Sequence, residues 1–185
     1  MIEQLVEECR KEMGRTEETL RKELARLRTA RASTALLEGI TVDYYGTRTP
    51  LNQLASLTAP EARLLVVQPF DRSAMGAIEK AVLQSDLGLT PQNDGKIIRI
   101  PIPELTEERR RDLVKHIRKV GEEFRVSIRN HRRDTIEKLK GLEKDKKVAE
   151  DDRRHGQERI EALTKEFVEK VDRVLKAKEQ EILAV

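Results

Sequence analysis

The sequence predicts an α+β protein of two domains: an antiparallel three-helix bundle with a small β/α/β sandwich domain inserted after the first helix. Three observations lead there. Apolar residues recur with a helical period at both ends of the chain and lose it in between. Charged residues reach 38% while aromatics are 3% and Trp is absent, a composition that suits long solvated helices better than one thick core. Turn signals (Gly46, Pro50, Asn93-Asp94-Gly95, Pro101, Pro103) are confined to the middle stretch.

From Ile2 to Leu27, the residues Ile2, Val6, Cys9, Met13, Thr16, Leu20 and Leu27 fall at alternating steps of three and four, with Leu5 and Leu24 beside them. Such spacing lines one face of a helix. Between Gly39 and Pro103 the pattern changes. Ile40, Val42 and Tyr44 alternate with polar residues as in a half-buried strand. Leu64 to Val67 is short, apolar and partly β-branched, and Ile97 to Ile100 is a further strand after the Asn93-Asp94-Gly95 turn. Asp71 or Ser73 is expected to cap a helix running to about Leu83, with Ala74, Ala77, Ile78 and Ala81 inward.

Helical period returns after Thr106, a residue suited to an N-cap, followed by Glu107 and Glu108 in the first turn. Leu113, Ile117, Val120, Phe124, Ile128, His131, Thr135, Leu139 and Leu142 form one seam. At 1.5 Å per residue the helix is about 60 Å long. A break near Asp145–Val148 precedes the acidic start Glu150-Asp151-Asp152 and a third seam of Ile160, Leu163, Phe167, Val171, Val174 and Ile182. A lone helix with one apolar stripe is marginal in water, so three such helices are expected to bury their stripes together. The bundle is assigned to 1–30 plus 105–185 and the sandwich to 31–104, joined at Thr29, Ala30 and Ser33 on one side and Pro101, Pro103 and Leu105 on the other.

Enzyme chemistry finds little support. His116, His131 and His155 lack metal-ligand spacing, Cys9 has no second cysteine, and no metal or cofactor is expected. His131 and Cys9 lie on seams and read as bundle residues. Gly95-Lys96 superficially suggests a phosphate loop, but Thr90 stands where the first glycine is needed and Ile97 where Ser or Thr should follow. No catalytic residue is assigned. The chain has no run of roughly 20 apolar residues and no basic, apolar leader, so a cytoplasmic location without membrane contact is expected.

The charge distribution is more informative. Residues 105–147 carry 15 Lys and Arg against 9 Asp and Glu, a surplus of +6, whereas 31–104 carry 7 against 8, or −1. On a helical wheel with Phe124 at 0°, Arg111, Arg118, Arg125, Arg129 and Arg132 fall between about 80° and 140°, while Asp112, Glu123, Asp134 and Glu137 occupy the opposite flank. The ladder is all arginine, whose planar fork suits phosphate oxygens. With so few aromatics, folded RNA recognised through its backbone is expected rather than stacked single strands. Five such contacts would give log K against log salt a slope of roughly −3.5 to −4.5. The alternative is a coiled-coil scaffold or chaperone whose ladder pairs with protein. Self-association would mark the scaffold; a monomer would mark the RNA-binding factor.

Several strings, in order and over nearly the whole chain, resemble the ribosome recycling factors: Arg28-Thr29-Ala30-Arg31-Ala32-Ser33, Val42-Asp43-Tyr44-Tyr45-Gly46, Thr49-Pro50-Leu51-Asn52-Gln53-Leu54, Ser85-Asp86-Leu87-Gly88-Leu89, Leu105 to Arg111, and Val126 to Arg133. The resemblance implies an elongated, L-shaped protein that binds the ribosome after termination at the subunit interface. It also implies that, with elongation factor G and GTP, the protein splits the ribosome into subunits, releasing mRNA and tRNA. By motif it implies large-subunit ribosomal RNA contacts at Arg28, Arg31, Arg110, Arg129, Arg132 and Arg133, to which the ladder adds Arg118 and Arg125. Two positions depart from the family pattern: Ala30 replaces a usual glycine, and Thr34 a common proline. If that glycine supplies a positive φ, Ala30 is strained.

Overall fold

The computed structural model describes residues 1–184. They fold into two compact units, one made of Met1–Arg21 with Arg111–Leu183, the other of Lys22–Arg110 with Ala184. The long elements are α1 (Ile2–Ala25), α4 (Glu107–Lys144) and α5 (Glu150–Leu183). The second unit adds β1 (Thr41–Tyr44), β2 (Thr47–Pro50), the single turn α2 (Leu51–Leu54), β3 (Ala55–Glu61), β4 (Leu64–Pro69), α3 (Met75–Gln84), β5 (Gln92–Asn93) and β6 (Ile98–Pro101).

In the first unit, contacts give the helix directions. Gly121 of α4 faces Leu175 of α5 and Leu139 faces Gly156, so α4 runs antiparallel to α5, while Thr16 of α1 meets His131 of α4. Glu3 pairs with Arg159 and Gly14 faces Phe167, so α1 and α5 run the same way. The apolar seams predicted from the sequence are the buried faces: Val6, Cys9, Met13 and Leu20 on α1, Leu113, Ile117, Val120, Ile128, Thr135 and Leu139 on α4, and Ile160, Leu163, Phe167, Val171 and Ile182 on α5. Two details differ. Ile2, Thr16, Leu27, Phe124, His131 and Leu142 are only half-buried, Leu27 lying past the end of α1, and late in α5 the core position is Leu175, with Val174 to its side. A step of four from Val171, rather than three, keeps the seam over α4, where Gly121 leaves room for the leucine.

The α4–α5 connection is a Schellman turn. Lys147 N–H donates to the Leu142 carbonyl at 2.9 Å and Lys146 N–H to that of Glu143 at 2.9 Å. Lys146 takes the left-handed position (φ 57°) that closes such a motif.

The second unit has a β1–β2 hairpin and an antiparallel sheet of order β3-β4-β6-β5. Its core joins Leu36, Leu37, Ile40 and Val42 to Leu65 and Val67 of β4, Ile78 and Val82 of α3, and Ile98 and Ile100 of β6. Strand β3 was not expected: its sequence, Ala-Ser-Leu-Thr-Ala-Pro-Glu, is mostly exposed and contains Pro60. It is an edge strand with an irregular register between Thr58 and Glu61, where proline is tolerated. Asp71 does act as a cap, but of a short 3-10 turn (Arg72–Ala74) that leads into α3.

Asn93-Asp94-Gly95-Lys96 lies at the β5–β6 connection, the hairpin turn expected from the sequence. Asp94 Oδ1 accepts from the N–H groups of Lys96 and Ile97, each at 2.9 Å, and Oδ2 from Arg99 at 2.8 Å. These bonds hold its pKa down at about 2, the backbone donors contributing most. Because the folded value lies below the unfolded one, the turn's ionic stabilisation is complete above roughly pH 4 and is lost as pH falls through about 2. In chemical melts, Asp94→Ala is therefore expected to trail the native chain at neutral pH and to converge with it near the acid end of that window; a constant difference across pH would refute the assignment.

Candidate nucleic-acid interface

The arginine ladder of α4 is where the wheel predicted, but much of it is already paired. Arg118 donates to Glu179 of α5 at 2.6 Å, Arg125 to Asp172 of α5 and to Glu122, and Arg129 to Glu122 at 3.2 Å. Burial draws the Arg125 pKa down, yet its hydrogen bonds to Asp172 and Glu122 outweigh this and the net shift is upward. Glu122 is correspondingly held below the usual carboxylate range, by Arg125 first and Arg129 second. The expectation of a continuous row of uncompensated guanidinium groups is thus corrected: α5 carries carboxylates at the spacing that meets two of them.

Pairing does not remove every rung equally. Exposed ion pairs are worth about 0–1 kcal/mol, so a phosphate can displace Glu179 from Arg118 (68% exposed) or Glu122 from Arg129 (45%) at small cost. Arg125 is 24% exposed and bonded from two sides, which fits a bundle staple better than a ligand contact. Arg132, half-buried, and Arg133, exposed, form no ion pair among the described residues. Arg111 does have an interaction within the chain.

A second group lies in the other unit. Arg28 is half-buried, and its Nη1 atom is buried without a hydrogen-bond partner among the described residues; Arg110 Nε is in the same condition. Burial lowers the Arg28 pKa, and the charge of Arg109 lowers it further. No carboxylate among the described residues pairs with Arg28, Arg109 or Arg110. Desolvated like charges with open donors are unfavourable by themselves, and an anion supplies what they lack. Arg31 is exposed nearby in sequence, its N–H bonded to Thr29 Oγ1 at 3.2 Å. Sequence reasoning had passed over Arg109, although three consecutive arginines from 109 to 111 were visible; the wheel ranked residues by helix face, whereas Arg109 acts at the helix start, with its N–H donating to Thr106 Oγ1 at 3.1 Å.

The connecting segments are held at specific points. Ala32 N–H donates to the Ala62 carbonyl at 2.7 Å and Ile102 N–H to that of Arg63 at 2.8 Å, so both strands of chain are fastened to the β3–β4 turn. Ser33 caps the 3-10 turn Thr34–Leu37, and Pro101 is the last residue of β6, opposite Leu64. Leu105 and Thr29 are buried, Pro103 exposed. Ala30 is unstrained: the positive-φ non-glycine residues among those described are Tyr45 and Lys146.

Candidate catalytic groups are not brought together. His131 Nε2 is 3.0 Å from Thr16 Oγ1, a polar link between α1 and α4, and His155 Nδ1 meets the Asp151 carbonyl of its own helix. Cys9 is buried, which raises its pKa. Among the described residues no three His, Cys, Asp or Glu side chains could hold a metal ion together, and no helix is long and apolar enough to cross a membrane.

Known proteins match this architecture throughout. The ribosome recycling factor family model matches residues 20–183. The ribosome-recycling factor of Carboxydothermus hydrogenoformans is 54% identical over 185 residues, covering 100% of both chains, and that of Natranaerobius thermophilus is 51% identical over 181 residues, covering 98% of each. A solution structure of a ribosome recycling factor superposes with a TM-score of 0.79 at 41% identity, covering 100% of this chain and 98% of the other. The T. thermophilus ribosome recycling factor, in a structure with E. coli elongation factor G bound to the E. coli post-termination complex, gives 0.69 at 48% identity over 100% of both chains. With a family match over most of its length and relatives above half identity end to end, this chain belongs to the ribosome recycling factor family.

Proposed function

We propose that this chain recycles ribosomes: it binds the post-termination ribosome through large-subunit ribosomal RNA and, with elongation factor G and GTP, drives separation of the subunits and release of mRNA and tRNA. The observation that carries the reading is the set of guanidinium groups without carboxylate partners among the described residues: Arg28, Arg109 and Arg110 in one unit, Arg132 and Arg133 in the other. Arg31 joins the first group, while Arg118 and Arg129 are contacts released from weak pairs. The sequence division, 1–30 plus 105–185 for RNA binding and 31–104 for the moving part, is retained as a working assignment. Bending is assigned to Thr29–Arg31 and Pro103–Leu105, outside the hydrogen bonds of Ala32 and Ile102. The chain is proposed to be a cytoplasmic monomer without a catalytic centre, the energy coming from GTP on its partner. Burial of all three helical seams within one chain favours this over the scaffold, which needs an apolar stripe left for self-association.

Co-sedimentation with large ribosomal subunits across a salt series tests the reading. The six guanidinium contacts of Arg28, Arg31, Arg109, Arg110, Arg132 and Arg133 would give log K against log salt a slope of roughly −4.2 to −5.4. Tight but salt-independent binding, or no binding, would overturn it.

A further inference from the structure

Two residues on the outer side of α4 are unfavourable for the helix and face solvent. With Phe124 at 0°, Arg129, Arg133, Val126 and Asn130 fall at about 140°, 180°, 200° and 240°, away from the apolar seam. Val126 is 44% exposed, and Asn130 is exposed with no hydrogen bond to its side-chain amide among the described residues. Valine and asparagine are both poorer helix formers than alanine, one through restricted rotamers and the other through competition for backbone groups. Other weak helix formers nearby have inward roles. Ser127 is half-buried, His131 meets Thr16 of α1, Asp134 borders a cavity against α1, and Thr135 is buried.

A single exposed valine is ordinary on a protein surface, and position is what distinguishes this one. Among the described residues of the bundle, the other large apolar side chains left exposed, Met1 and Leu183, stand at or beside helix ends, whereas Val126 is in the middle of a 38-residue helix. One and two turns further on are Arg129, Asn130 and Arg133. Arg133 forms no ion pair among the described residues, and Arg129 is held only by the exposed pair with Glu122. The flanking guanidinium groups match a polyanion, which favours a nucleotide over a protein pocket as the occupant.

Guanidinium contacts to phosphate fix a protein's position on RNA but carry no base information. A neutral amide does carry it: asparagine presents a donor and an acceptor that match N7 and the N6 amino group of adenine. Paired RNA hides that edge in a deep, narrow groove, so an adenine read in this way is unpaired. The valine, one turn before the amide, offers an apolar surface to the exposed base. We infer that Val126 and Asn130 read one unpaired adenine of large-subunit ribosomal RNA, with Arg129 and Arg133 holding the phosphates beside it. This goes beyond the phosphate contacts proposed above and rests on that proposal for the identity of the RNA.

The test compares the native chain with a double variant, Val126→Ala with Asn130→Ala, in binding to purified large ribosomal subunits across a salt series. Alanine favours helix at both positions and breaks no internal hydrogen bond, so the thermal midpoint of the variant is expected to equal or exceed the native one. Affinity is expected to fall about tenfold or more at every salt concentration, with the slope unchanged because no phosphate contact is lost. Diethyl pyrocarbonate attacks N7 of unstacked adenine. At saturating protein, one such adenine is expected to be protected by the native chain and reactive again with Asn130→Ala. Native affinity in the double variant, a shallower slope, or no adenine whose N7 reactivity depends on Asn130 would each overturn the base reading. If the native chain itself shows no salt-dependent binding to large subunits, the function proposed above fails instead, so the two failures are distinguishable.

Discussion

Replacing Arg132 and Arg133 together by alanine is expected to lower affinity for the large ribosomal subunit at least about a hundredfold, whereas Arg118→Ala is expected to lower it by no more than about tenfold. The two arginines of the pair form no ion pair among the described residues, so no described carboxylate has to be displaced from them. Charge-assisted hydrogen bonds contribute about 1.5–3 kcal/mol each, and two such losses give at least the stated factor. The salt slope should also shrink by roughly 1.4–1.8, the contribution of two phosphates. Arg118 must first leave Glu179, at about 0–1 kcal/mol, and the carboxylate left behind repels the phosphate, so its net contribution is smaller than that of an arginine with no pair to break. Alanine favours helix at both positions, and circular-dichroism melts of the double variant should overlay the native ones within about 1 kcal/mol. Equal losses from Arg118→Ala and from the double variant would refute the division between paired and unpaired arginines.

That division is also where the sequence stopped being legible. A helical wheel places Arg118 and Arg125 on one edge of α4 because angle follows from position alone. Whether Asp172 and Glu179 of α5 reach them depends on the stagger of two helices separated by a turn, which no single-helix pattern encodes. The same limitation explains Leu175: period marks Val174 and Leu175 as neighbours on one face, and only the glycine opposite decides which enters the core. By contrast, the bundle seams, the Asp71 cap and the Asn93-Asp94-Gly95 turn were readable, because each arises from residues close in sequence. Strand β3 was not, since an edge strand held by its partner β4 needs little apolar alternation of its own. Arg28 and Arg110 were singled out by family motif alone; their buried, unpartnered nitrogens are a tertiary property that composition and spacing do not carry. The family resemblance reached farther than periodicity because it matched several strings in order along the whole chain.

In stability measurements, the sign of the effect of Gly121→Ala is expected to depend on what stands at position 175. In the native chain a Cβ at Gly121 would overlap Leu175 Cδ1 and lie 2.9 Å from Cδ2 and 3.1 Å from Cγ. Three atoms of one buried side chain cannot all be relieved by moving its tip, so Leu175 must change rotamer or the helices must part. Overpacking of this kind costs about 1–3 kcal/mol, and the roughly 1 kcal/mol by which alanine exceeds glycine in a helix offsets only part of it. Leu175→Ala alone removes a side chain that is 7% exposed and leaves a cavity, at about 2–5 kcal/mol. In that background the new methyl group at 121 meets open space, so alanine both improves helix propensity and fills part of the cavity, and Gly121→Ala becomes stabilising by about 1 kcal/mol. A double-mutant cycle in urea should therefore return a coupling on the order of 1–3 kcal/mol between residues of α4 and α5. Additive effects would mean that the helices approach less closely at this level than Gly121 permits.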